Sequence, residues 1–188
     1  MRKFLLLCVS ALVALSPLVA LAQAQVQEDS ATLERRVKAA FLYKFAGYVE
    51  WPDGTFVAPD APIIIGVAGD DALSAELAQV VNGRSIEGRP LAVKRVRDNE
   101  ALAGVHILFV SNAERARLGP LARATPSQPL LIISESDGAL EQGSAINFLL
   151  SGGRVRFEIA LDNAEKRALR LSSRLLSVAH SVRTGGSP

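Results

Sequence analysis

Pro62-Ile63-Ile64-Ile65-Gly66-Val67-Ala68-Gly69-Asp70-Asp71 decides the fold. Residues 62–67 are an unbroken apolar run, which fits a strand covered on both faces. Gly66, Gly69, Asp70 and Asp71 supply the turn into a helix expected over 72–81, which Asn82-Gly83 ends. A doubly covered strand followed at once by a helix is the unit from which parallel sheets are wound. The unit recurs downstream. Residues 91–96 read as a second strand, 105–110 as a third, 112–124 as a helix stopped or kinked at Pro120, and 129–134 as a fourth strand.

The next segment changes period. Ile146, Phe148 and Leu150 alternate with Asn147 and Leu149; Val155, Phe157 and Ile159 alternate with Arg154, Arg156 and Glu158. Gly152-Gly153 between them tolerates the positive φ angles of a tight turn, so the two runs form a β-hairpin. A two-residue loop pairs Leu150 with Val155, Phe148 with Phe157 and Asn147 with Glu158. One face is then apolar and the other carries Asn147, Arg156 and Glu158. Arg156 and Glu158 share that face and could pair with each other. The expected architecture is a single compact α/β domain: a mixed, mostly parallel sheet of five to six strands ending in this hairpin, with helices on both faces.

Beyond the hairpin, Asp162-Asn163-Ala164-Glu165 reads as a capping box opening a short helix. Leu169-Arg170-Leu171 alternates like an extended piece, and Ser172 reads as the N-cap of a last helix through Val182. One continuous helix over 162–182 is the alternative.

Upstream, Leu33, Val37, Phe41, Phe45 and Tyr48 recur at helical spacing. They predict a core-facing helix that starts at about Thr32 and ends before Pro52, whose ring excludes Trp51 from helical angles. Trp51, following that stripe, is expected to be packed. Residues 1–22 read as a cleaved signal peptide: basic Arg2 and Lys3, an apolar run, then Ala20-Leu21-Ala22, with Ala22-Gln23-Ala24 as a second cleavage pattern. Residues 23–30 and 184–188 are expected to be flexible, leaving 31–183 as the domain.

Cleavage changes the chemistry available. Losing Arg2 and Lys3 from the 21 basic side chains leaves them equal in number to the 19 acidic ones. No basic stripe remains for nucleic acid. The only cysteine, Cys8, leaves with the leader, which excludes thiol catalysis, cysteine-ligated zinc and disulfides.

No enzyme is expected, and no cofactor. His106 and His180 match no zinc spacing, and His106 sits in an apolar strand, where a hydrogen-bonded core histidine is the expectation. There is no G-x-S-x-G, P-loop or G-x-G-x-x-G. Asp70 and Asp71 at a helix start would repel a phosphate and read as caps; Glu135 and Asp137 read as surface acids.

Val37-Lys38-Ala39-Ala40-Phe41-Leu42-Tyr43-Lys44-Phe45, Glu50-Trp51-Pro52, Ile65-Gly66-Val67, Gly88-Arg89-Pro90 and His106-Ile107-Leu108-Phe109-Val110-Ser111 run in a recognisable order. They continue through Ile146-Asn147-Phe148, Arg154-Val155-Arg156-Phe157-Glu158-Ile159 and Leu169-Arg170-Leu171-Ser172-Ser173. Together the segments resemble the YfiR-like family of bacterial periplasmic proteins. The resemblance implies a compact α/β regulator in the periplasm of a Gram-negative bacterium. It further implies inhibition of a membrane-bound diguanylate cyclase through that enzyme's periplasmic sensor domain, with cyclic di-GMP and biofilm as the output. It also implies a homodimer, and small-ligand binding near Arg170 and Ser172. The chain departs from the family pattern in two places. The mature form has no cysteine, so redox control does not carry over. Ser172 stands where a ligand-contacting imidazole falls, so the ligand does not carry over either. The expected partner- or ligand-binding residues are Asn147, Arg156, Glu158, Arg170 and Ser172. The alternative reading is a periplasmic small-ligand module reporting to an unidentified receptor or hybrid sensor kinase.

Overall fold

The computed structural model describes residues 16–98 and 100–185. Residues 1–15, most of the expected leader, and 186–188 of the tail lie outside the described residues. Helix α1 (Ser16–Ala46) includes residues 23–30. The stretch through Glu34 is a unit of its own, and the sheet and its covering helices belong to the unit from Arg35 onward.

The strands are β1 (Val49–Glu50), β2 (Ile63–Ala68), β3 (Ser85–Ile86), β4 (Arg89–Val96), β5 (Ile107–Val110), β6 (Leu131–Ser134), β7 (Ile146–Ser151), β8 (Arg154–Ala160), β9 (Arg170–Leu171) and β10 (Ser181–Arg183). The later helices are α2 (Asp71–Val81), α3 (Arg115–Ala124), α4 (Leu161–Glu165) and α5 (Ser173–Val178). Eight strands form one sheet in the order β10-β8-β7-β6-β5-β2-β4-β3. Strands β4, β2, β5, β6 and β7 are mutually parallel, which makes the doubly wound order second-first-third-fourth-fifth. Six long strands match the expected sheet, and the short β3 and β10 add an edge at either end.

Alternation along each strand divides the core. Ile63, Ile65, Val67, Ile107 and Phe109 face α1 and α2, joined by Phe45, Leu42, Leu73 and Leu77. Ala68, Leu108, Val110 and Ile132 face the other way, against Leu118 and Ala122 of α3. Helices therefore cover both faces. The hairpin has the expected register: Leu150 opposite Val155, Phe148 opposite Phe157, Asn147 opposite Glu158, with Gly152 and Gly153 both at positive φ.

Three local expectations are corrected. Helix α1 stops at Ala46, so Tyr48, read as the last residue of the helical stripe, lies beyond it. Gly47 and Tyr48 donate back to the carbonyls of Lys44 and Phe45, and Val49–Glu50 then pairs antiparallel with Leu171 and Arg170. The pairing partner lies far along the chain, so no local pattern announces it. The last helix ends at Val178 rather than Val182, because the His180 amide donates to the Phe157 carbonyl and Ser181–Arg183 adds alongside β8. Asp162 is not an N-cap. Helix α4 begins directly off β8, with Ala160 as its flanking residue, and the Asp162 carboxylate accepts from Lys166 at 2.9 Å.

Candidate functional site

In doubly wound sheets ligands bind where the strand order reverses, at the carboxyl ends of the strands. Here that point lies between β2 and β5, and its loops pack against each other. A Cβ added to Gly69 would fall 2.4 Å from both Ser111 Oγ and Glu114 Cγ. The acids nearby are engaged structurally. Asp70 caps α2 by accepting from the Leu73 amide at 2.8 Å, Asp71 pairs with Arg95, and Glu135 takes both Lys38 and the Asn112 amide.

The residues expected to form a site fall into two groups. On the hairpin, Asn147 Nδ2 donates to Glu158 Oε1 at 3.2 Å, and Asn147 is buried at 5% exposure rather than displayed. Its Oδ1 has no donor among the described residues. Glu158 Oε2 lies 3.9 Å from Arg183 Nη2, while Arg183 Nη1 donates to Glu141. That bond holds the Glu141 carboxyl below the usual carboxylate range and raises the Arg183 guanidinium. Arg156 does not pair with Glu158. It stands exposed opposite Leu149, with no ion pair among the described residues. Strand pairing explains the difference. Strand β10 sets Ser181 opposite Glu158 and Arg183 two residues on, within reach of its carboxylate. Arg156 faces only the apolar Leu149 across the hairpin and has no acid in reach among the described residues.

The second group sits on the β1–β9 ribbon. Arg170 Nε lies 3.6 Å from Glu50 Oε2, with both side chains exposed. The Ser172 amide donates to the Tyr48 carbonyl at 2.9 Å, and its Oγ accepts from the Leu175 amide at 3.4 Å, so Ser172 is the expected N-cap. Among the described residues no hydrogen bond or ion pair joins this group to the hairpin group.

Beside the ribbon lies a cleft of about 350 Å³ walled by Glu50, Trp51, Phe56, Glu87 and Arg89, with the 52–55 loop across it. Trp51 packs as expected, edge-on to Phe56 at 6.0 Å and to His106 at 5.8 Å between ring centres. Its Nε1 is buried with no acceptor among the described residues. The Arg89 guanidinium lies 3.9 Å from the Phe56 ring centre, and its Nη1 donates to the carbonyls of Ala58 and Ala61. Gly88-Arg89-Pro90 was legible in the sequence as a motif, but its role in clamping a loop thirty residues upstream was not.

His106 is a hydrogen-bonded core histidine. Its Nδ1 accepts from the Ile64 amide at 3.1 Å, and its ring stacks on Phe56 at 4.6 Å. Burial, then the charge of Arg89, pushes its pKa down, and a backbone hydrogen bond with Thr55 opposes them. The folded form thus takes up a proton less readily than the unfolded chain, whose histidine titrates near about 6.5. Stability from this group is complete above that pH and is lost as pH falls below it. The urea midpoint should therefore drop between pH 7.5 and 5.5, and His106→Gln should shrink that drop. An unchanged pH slope in the variant would contradict the assignment.

The structure is thus a covered doubly wound sheet with a polar cluster at one edge and a cleft beside the β1–β9 ribbon. The YfiR/HmsC-like family model matches residues 35–180, and the chain belongs to that family. At the level of the family this supports a periplasmic regulatory protein of diguanylate cyclase signalling. No curated protein matches the chain closely enough to be set beside it. Among the described residues no helix is long and apolar enough to cross a membrane.

Proposed function

We propose that the mature chain works in the periplasm as a homodimer that binds and inhibits the periplasmic sensor domain of an inner-membrane diguanylate cyclase. The outer face and tip of the hairpin are its contact surface. The observation that carries this reading is the pairing of a fixed charge with a free one. Glu158 is held in place by Asn147 and Arg183, while Arg156, two residues away on the same face, is exposed and unpaired among the described residues. Leu150 stands 61% exposed at the tip. A positioned charge beside an uncommitted arginine, with an exposed apolar residue at the tip on the opposite face, fits a protein contact better than a catalytic group.

Arg156→Glu tests the surface without disturbing the core. An exposed substitution away from structural contacts changes stability by only about 0.5 kcal/mol. The variant should fold, reach the periplasm and fail to inhibit, so cyclic di-GMP should rise several-fold over cells carrying the wild type. A secreted Arg156→Glu protein that still inhibits fully would remove this face. Glu158→Lys is a poorer probe, because it also strips Asn147 of its acceptor and sets a cation beside Arg183.

The buried, unpartnered Trp51 Nε1 favours a second reading, in which the cleft takes a small molecule with a hydrogen-bond acceptor and the Glu50–Arg170 pair borders it. Under that reading Arg156→Glu leaves signalling intact.

A further inference from the structure

Two adjoining cavities, of about 720 and 270 Å³, form a trough between α3, the 138–144 loop and α4; they share Glu141, Asn163 and Lys166 as walls. The larger falls within the size range of small-molecule sites. Its charges are unevenly matched. At one end each acid has its cation: Glu141 takes Arg183, and Asp162 takes Lys166 at 2.9 Å. At the other end Arg123 and Arg167 line the wall with no carboxylate partner among the described residues.

Arg167 is the unusual member, an arginine only 7% exposed. Its Nη1 donates to the Thr125 and Gln128 carbonyls and its Nη2 to the Ala122 carbonyl, around the C-terminal end of α3. Nε has no acceptor among the described residues. Helix-terminal carbonyls carry only a partial negative charge, so a full positive charge is withdrawn from water without a full counter-charge. Arg123 is exposed, and its Nη1 reaches back towards Gly119, within 3.2 Å of where a Cβ there would lie.

We propose that this end of the trough binds an anion, the carboxylate or phosphate group of a small molecule, with Arg123 and Arg167 as its contacts. The helix terminus fixes Arg167 in place, and the exposed Arg123 closes on the ligand. Arg123 and Arg167 take no part in the hairpin surface, so the failure of this proposal would leave the proposed inhibition standing.

The test uses the mature protein and two probes, inorganic phosphate and citrate, against chloride at equal ionic strength. Each probe is titrated while thermal unfolding is followed. At a hundredfold excess over Kd, a specific anion should raise Tm by about 5 °C or more, saturably. Arg123→Ala leaves the capping hydrogen bonds of Arg167 in place. It should fold normally and weaken the anion's effect at least tenfold, whereas Arg154→Ala, removing an exposed guanidinium elsewhere, should not. A saturable response to one probe alone would assign the site to that anion's chemistry. No saturable shift with either probe, or a shift that Arg123→Ala leaves unchanged, would overturn the proposal and leave Arg167 as a helix cap.

Discussion

Phe157→Ala is expected to lower the unfolding free energy by about 3–5 kcal/mol. The ring is 2% exposed and meets Phe45 at 5.0 Å and Phe41 at 5.4 Å between centres, both edge-on. Phe148 lies opposite it on β7 and stacks on Phe45 at 5.8 Å. These four rings pin α1 to the hairpin, so truncating one opens a cavity whose walls belong to two different elements. Neither element can relax into the space without giving up its own contacts. For a domain of this size such a loss corresponds to a fall in Tm of roughly 10 °C or more, read directly by circular dichroism. A fall below about 3 °C would mean the aromatic cluster is not what joins these elements.

Gly69→Ala should cost nearly as much, for a different reason. Gly69 has φ +79, where an L side chain is strained by about 1–2 kcal/mol. The added Cβ would also lie 2.4 Å from Ser111 Oγ and Glu114 Cγ, and overpacking of that kind costs about 1–3 kcal/mol more. Gly88→Ala separates the two contributions. Gly88 has the same φ of +79 but nothing within 4 Å of the new carbon, so only the backbone part should appear. If the two variants unfold at the same denaturant concentration, the loops after β2 and β5 are not packed against each other.

The parallel sheet was legible because burial on both faces leaves an unmistakable mark: Ile63-Ile64-Ile65 needs cover above and below, and α2 follows at once. The hairpin was legible down to its register because Gly152-Gly153 fixes the turn and a one-residue slip would expose Phe148 and Phe157. What escaped was structure set by partners distant in the chain. Val49–Glu50 is a strand only because Arg170–Leu171 lies beside it, and Ser181–Arg183 only because β8 offers an open edge. The same limit applies to the site. Asn147 and Glu158 were placed on one face correctly, but Arg183, whose guanidinium lies 3.9 Å from Glu158, sits on a strand that three residues of sequence do not announce. The cleft at Trp51 depends on Arg89 reaching back to Ala58 and Ala61, a contact with no local pattern.

The proposed restraint of a membrane diguanylate cyclase from the periplasm is tested most directly by intracellular cyclic di-GMP. It is measured in the native host, with the gene deleted and then restored in a form exported to the periplasm. Release of the cyclase predicts a several-fold rise on deletion and a return to the starting level on restoration. Cyclic di-GMP that stays level or falls when the gene is removed would contradict that role.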